Sequence, residues 1–442
     1  MFKDKKFLRN MATLTIPIML QELLNSSVNI LDTFMIGRLG DEAVASVGLA
    51  NQIFFLFVLI TFGVNSGGSI FIGQYYGKGD YEGIHKIMGC TLTISFLAAL
   101  IFWCGAMFFP RELMSIYSKD TKVIELGVGY LKIISFSYFL SAVIVTLNAA
   151  LKSTNVVIQP MITTFISLMS NFILNLLFIF GLNMGVRGAA IATLCARLIE
   201  LTVQIIMIIK YKRIIGTNLR KYFIFDKEIV NTFFRVCTPV ILNEFMWALG
   251  NTVYNVAYKY SGTVAQAATQ ISGTVQNLFM VAGIAIGSAC GIIISNTLGA
   301  GDSKRAIEYS RKCCGLGIVF SIFMGVILAF ASPFIVDIFK VGDEAKTYAL
   351  YMLYVVSVCM VFKTFNYVTI VGILRNGGDT TFCLLLDTLT VWLIGVPMAF
   401  LGSKYLGLPI YVTFAMVYLE EVVKVIISSI RVWKNKWANS VI

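Results

Sequence analysis

The chain contains one stretch twice. Sliding the sequence by 222 positions carries Pro17 onto Pro239, Glu22 onto Glu244, Asn29 onto Asn251 and Gly40 onto Gly262. The same shift takes Ala43 and Ala45 to Ala265 and Ala267, Ser66 to Ser288, and Gly77, Gly79 and Asp80 to Gly299, Gly301 and Asp302. About fifteen of the sixty-four aligned positions are identical, with no gap; a period that long marks a duplicated domain, not a solenoid. Each copy reads as a buried acid just after a proline, a long apolar helix, a Gly turn, a second long apolar helix, and a Gly-x-Gly-Asp turn.

What such a duplicated unit can be follows from its polarity. Of 442 residues, 58% are hydrophobic and 13% charged, where a soluble domain carries about 25% charge. The chain therefore reads as an integral membrane protein, and its net charge of +12 as cytoplasmic loops, not a nucleic-acid surface. Nine cysteines lie in or at the ends of apolar segments without a Cys-x-x-Cys and read as small packing residues. The lone His85, in a polar turn, cannot build a metal site. The apolar run from Met11 to about Gly37 is too long for a signal peptide and recurs from Pro239, so it is structural.

Spans of about 20 apolar residues are transmembrane candidates. The sequence predicts twelve: 12–36, 45–73, 87–109, 123–147, 160–181, 188–209, 236–259, 266–297, 313–336, 347–371, 382–402 and 409–430. Gly63 and Gly67, and Gly283, Gly287 and Gly291, recur every four residues in the second and eighth spans, a spacing that admits close helix approach or hinging. With both termini on one side, 21 Lys and Arg fall in that side's connections and 9 in the other's. The excess puts both termini and the basic 210–234 loop in the cytoplasm. That loop divides the chain into an N-terminal six-helix lobe (1–209), a linker (210–234) and a C-terminal six-helix lobe (235–442). Six spans per copy make the repeats parallel, related by a pseudo-two-fold axis along the membrane normal around a central cleft.

Gly73-Gln-Tyr-Tyr-Gly77-Lys78-Gly79 looks like a phosphate loop. It is one residue short between glycines and lacks the Ser/Thr after Lys, so it reads as a tight turn and the energy source as a gradient. Ionisable residues inside spans are the sharper signal: Glu22, Asp32, Lys132, Arg197, Glu200, Arg235, Glu244, Lys259, Lys363, Asp387, Glu420, Glu421 and Lys424. Lys424 follows Glu420 by four residues, the spacing of a helical ion pair. Asn171 and Asn175 share one face of the fifth span, and Thr193 follows Gly188-Ala-Ala on the sixth. Buried amides of this kind commonly only join helices. Aromatic residues in a cleft could hold flat cations.

The residues resemble the multidrug and toxic compound extrusion (MATE) family. The resemblance is carried by Pro17 with Asp32-Thr-Phe-Met-Ile-Gly37, Gly73 to Asp80, Asn171 to Thr193, Pro239 to Gly262, Gly299-Ala-Gly301-Asp302, and Leu374-Arg375-Asn-Gly-Gly-Asp379-Thr380. It implies twelve helices in two six-helix lobes whose cleft opens alternately to each side. It also implies export of organic, often cationic, compounds in exchange for Na⁺ or H⁺. The family's N-lobe cation site falls here on Asp32, Asn171, Asn175 and Thr193. Where relatives carry an acid on the seventh helix, this chain has Trp247, with Glu244 one turn earlier. Where some carry a tenth-helix Asp, it has Thr364 beside Lys363.

The expectation is thus a multi-pass plasma-membrane antiporter, not an enzyme and without a cofactor. It would act as a monomer whose partners are the bilayer, a small organic substrate and a coupling cation. Glu22, Glu244, Trp247 and Asp387 are the expected cleft residues. The alternatives are a flippase for lipid-linked saccharides, which would need basic residues such as Lys132, Arg197 and Lys363 in the cleft, and a passive channel. Buried acids without a continuous polar helix face argue against the channel.

Overall fold

The computed structural model describes residues 4–217, 222, 226–339 and 341–442. Of the residues counted above for orientation, Lys3, Arg220, Lys221 and Lys340 lie outside this set, as does part of the 210–234 linker.

Among the described residues the regular secondary structure is all helical, with no strand. The first half holds α1 (Lys5–Gly37), α2 (Asp41–Lys78), α3 (Tyr81–Phe108), a short α4 (Pro110–Ser115), α5 (Thr121–Ile134), α6 (Ser137–Ser153), α7 (Ile158–Asn175) and α8 (Gly185–Lys210). The second holds α9 (Lys227–Tyr258), α10 (Thr263–Gly299), α11 (Ser303–Ile338), α12 (Asp343–Asn366), α13 (Thr380–Thr390), α14 (Val396–Phe400), α15 (Ile410–Val417) and α16 (Leu419–Trp433). Four stretches widen to π-helix: Leu176–Gly181, Tyr367–Arg375, Val391–Gly395 and Leu401–Tyr405. All twelve expected spans are helical, six in each half. Eight are long and apolar enough to cross a membrane by length and composition, and the α5–α6 pair, bent by 51°, makes a ninth. The other three runs, α1, α9 and α15–α16, carry Glu22 and Asp32, Glu244, and Glu420, Glu421 and Lys424. The chain is an all-α integral membrane protein with twelve transmembrane helices in two bundles.

The duplication has a backbone cause. Gly40 and Gly262, ahead of α2 and α10, have φ of 107° and 93°, where a side chain would be strained. Gly79 and Gly301 take φ of 80° and 81° after those helices. Asp80 then accepts a hydrogen bond from the Gly83 N–H at 3.0 Å, and Asp302 one from the Arg305 N–H at 3.0 Å, starting α3 and α11. The phosphate-loop look of 73–79 is therefore the C-terminus of a helix, whose dipole end repels anions.

Packing separates two compact units, Leu20–Cys237 and Met1–Met19 with Thr238–Ile442. The sequence division at 210–234 follows the repeat, while the packing division falls beside the inner prolines Pro17 and Pro239 of α1 and α9. In the Leu20–Cys237 unit, Phe57 stacks on Tyr138 at 5.2 Å, both buried. His85 is 2% exposed, its Nε2 2.9 Å from the Ile214 carbonyl oxygen. It ties the basic segment to α3 instead of lying free in a polar turn, because α3 begins at Tyr81 and buries it.

In the other unit α10 runs through the centre. The most apolar part of α10 is 72% buried, against 28–44% for the other single spans. Its glycine stripe explains this. A β-carbon at Gly287 would lie 2.5 Å from the Tyr367 ring, and one at Gly291 2.4 Å from the Asn376 side chain. One at Gly372 would lie 2.8 Å from the Gly287 carbonyl oxygen. The four-residue spacing is there for close approach. At the start of α1, Asp4 accepts from the Phe7 N–H and pairs with Lys312 at 2.7 Å. The Lys312 hydrogen bond holds the Asp4 carboxyl below the usual carboxylate range.

Candidate functional site

Two polar constellations lie among the helices, one in each unit. In the Leu20–Cys237 unit, residues at i and i+4 of α7 share a face, so the Asn175 amide donates to Asn171 Oδ1 at 3.0 Å. The same Asn175 nitrogen donates to Asp32 Oδ1 on α1 at 2.7 Å, and Asn171 donates to the Thr193 hydroxyl on α8 at 3.2 Å. Gly188 permits the close packing of α8 here, since a β-carbon would lie 2.9 Å from the Phe178 carbonyl oxygen. Asp32, Asn171, Asn175 and Thr193 thus form one hydrogen-bonded chain across three helices.

Asn175 and Asn171 are 1% and 3% exposed. Asn175 Oδ1 is buried with no hydrogen-bond partner, an arrangement that costs about 1–3 kcal/mol if nothing fills it. Asp32 has no ion-pair partner within 4 Å among the described residues. Arg197, which acts on it electrostatically, is itself bound to Glu200 at 2.7 Å. Buried Tyr130 also lies within electrostatic reach. Every free donor atom in this set is oxygen, which fits a hard monovalent cation or a proton and not a transition metal.

Of the expected cleft residues, Glu22 lies in the Leu20–Cys237 unit and Glu244, Trp247 and Asp387 in the other. Glu22 pairs with Lys152 at 3.4 Å inside the Leu20–Cys237 unit. In the other unit Glu244 pairs with Arg375 at 2.8 Å, and Asp387 accepts from Asn243 at 3.0 Å and lies 3.7 Å from Lys424. Trp247, one turn after Glu244 on α9, is 44% exposed. The ion pair suggested by the spacing of Glu420 and Lys424 is present at 3.7 Å, but Lys424 is shared with Asp387.

Sequence reasoning missed Arg375. It directly precedes Asn376-Gly-Gly-Asp379, which reads as a turn, so by sequence it belongs to a connection. In the structure it ends a π-helical run, with its side chain 3% exposed against Glu244. A signal was present: an isolated Arg at the end of an apolar span needs either water or a buried acid.

The MatE family model matches residues 17–177 and 239–401, both copies of the repeat. Among curated proteins, the probable multidrug resistance protein YoeA of Bacillus subtilis is 24% identical over 409 residues, covering 91% of this chain and 88% of that protein. The FAD transporter of Shewanella oneidensis is 23% identical over 380 residues, covering 84% and 83%. Among solved structures, a MATE protein in complex with MaL6 superposes with a TM-score of 0.88 at 19% identity, over 97% of this chain and 96% of that one. A MOP superfamily transporter from Pyrococcus furiosus gives 0.87 at 18% identity, with the same coverage.

Proposed function

The chain belongs to the MatE family of membrane transporters, and from that premise we propose that it is a secondary active antiporter exporting organic, cationic or amphiphilic compounds in exchange for Na⁺ or H⁺. The observation that carries this reading is Asp32, an acid within a span that has no ion-pair partner among the described residues but is tied to two buried amides and a hydroxyl. A carboxylate at that depth does not stay charged alone; Na⁺ or a proton neutralises it. Either event changes the charge between α1, α7 and α8. A difference in that packing between outward and inward forms is what exchange requires. Relatives named for multidrug resistance and for FAD support an organic cargo.

The test is reconstitution into liposomes loaded with a cationic dye, under Na⁺ or H⁺ gradients imposed in turn. Dye efflux under either gradient is the expected result. Movement of a lipid-linked saccharide alone, or ion leak without dye movement, would replace the reading with a flippase or a channel.

We further propose a plasma-membrane protein acting as a monomer, with both termini cytoplasmic; the orientation is supported by the 21-to-9 split of basic residues. In a Cys-free background, single cysteines in the 210–234 loop and at Asn439 should label only from the cytoplasm. Those at Thr121 and Asp343 should label only from outside. Opposite-side labelling of the loop and Asn439 would break the even-helix count.

A further inference from the structure

The unit formed with Thr238–Ile442 holds a cluster whose charges do not balance. Its acids are Glu244 on α9, Asp387 on α13, and Glu420 and Glu421 on α16; its cations are Lys363 on α12, Arg375 and Lys424. Glu244 and Arg375 neutralise each other at 2.8 Å. Lys424, 3% exposed, stands 3.7 Å from both Asp387 and Glu420, one positive charge for two carboxylates. Lys363 acts on Glu421, which also accepts from the Asn366 amide at 2.7 Å. Among the described residues one carboxylate of the four is left without a cation, and an unpaired buried charge is strongly unfavourable.

Two further observations point to something bound. Asn243 and Asn366, 3% and 4% exposed, each give their amide hydrogens to an acid of this cluster. Their carbonyl oxygens are buried with no partner. The Glu420 carboxyl has the closest contact in the cluster: the Tyr254 hydroxyl lies 2.5 Å from Oε2. The backbone at Gly395 closes over both groups, since a β-carbon there would lie 2.4 Å from Oε2. Tyr254 is the repeat mate of Asp32, reached by the same 222-residue shift.

We propose that Glu420 and Tyr254 form a second proton-binding site, distinct from Asp32, with the Glu420 carboxyl carrying the proton that balances the cluster. Tyr254 and Tyr258 face it from α9 and Lys363 acts on it from α12, while Cys359 on α12 acts on the neighbouring Glu421 and Asp387 on α13 shares Lys424 with it. On its own helix Glu421 and Lys424 flank it, with Tyr418 beside them, its hydroxyl donating to Gln276 on α10 at 2.6 Å. The proton can leave if Lys424 moves from Asp387 onto Glu420, so the site links protonation to which acid Lys424 serves. The charge imbalance holds whatever the cargo is and does not rest on the exporter reading.

The test is infrared spectroscopy of the purified full chain in Na⁺-free buffer, following the carbonyl stretch of protonated carboxyls as pH is varied. The expected result is a band at neutral pH that persists in Asp32→Asn and disappears when Glu420→Gln is added. Lys424→Met in the Asp32→Asn background should roughly double it, because a second acid must then be neutralised; a merely structural lysine would leave it unchanged. An unchanged band in Glu420→Gln, or no band in Asp32→Asn, overturns the proposal. A band erased by exchanging K⁺ for Na⁺ makes the ligand a metal cation and overturns the assignment to a proton. This readout does not involve export, so its failure is separate from a failure of the antiport reading.

Discussion

Asp32→Asn is expected to reduce gradient-driven export to the level of protein-free liposomes while the protein still folds and still binds its cargo. The substitution keeps the shape and the capacity to accept from Asn175, so the 2.7 Å contact can survive. What it removes is the only charge in the Asp32–Thr193 chain, and with it the need for Na⁺ or H⁺ at that position. Cargo binding and folding rest on other groups, which separates this outcome from simple destabilisation. Asn175→Ala acts more gently: it removes the amide that orients the carboxylate, and such orienting groups are worth roughly 10–100-fold in ion affinity. The Na⁺ concentration for half-maximal efflux should rise by that order. Export by Asp32→Asn at the wild-type rate under both gradients would make the chain of amides a structural brace and move the coupling elsewhere, with Asp387 next to be tested.

The second large effect is on stability. Arg375→Met leaves Glu244 charged and largely buried, its side chain 15% exposed. Breaking a buried pair from one side costs about 3–5 kcal/mol, which a thermal unfolding series in detergent would register as a clear drop. Adding Glu244→Leu removes the stranded charge and should recover most of the loss, since an apolar replacement of both partners is often near neutral. The Glu22–Lys152 pair is longer, at 3.4 Å, and a fifth to a third exposed, so its loss should cost only on the order of 1 kcal/mol. Glu244→Gln discriminates between two roles for that acid. Attraction of cationic cargo predicts weaker export of cations than of neutral compounds; pairing with Arg375 predicts equal loss for both, with lower stability. Arg375→Met unfolding like the wild type would remove the pair from the account of stability.

The repeat was legible because glycine positions with φ near +80° to +107° tolerate little else. The adjacency of Asn171 and Asn175 was legible from helical spacing; their joining to Asp32 and Thr193 rested on the family resemblance, since nothing local says which helices meet. The breaks were not legible. The α5–α6 bend at Ser135–Phe136 and the interruption at Tyr418 involve neither Pro nor Gly, while Pro17, Pro239 and Pro333 sit inside continuous helices. Partners of buried charges were illegible for a related reason: Lys424 has an obvious mate four residues back, yet it also serves Asp387 on another helix.

Three of the π-helical stretches adjoin these polar groups. Leu176–Gly181 begins directly after Asn175, Tyr367–Arg375 ends on the partner of Glu244, and Val391–Gly395 follows Asp387 by one turn and packs at Gly395 against Glu420. One extra residue in a turn offsets everything beyond it by about 100° of helical phase. A wide turn can migrate along its helix one residue at a time, exchanging hydrogen-bond partners without breaking the rod. In such a helix, side chains on one side of the bulge can be re-aimed while those on the other stay put, so a local slip of register becomes a rotation delivered at a distance.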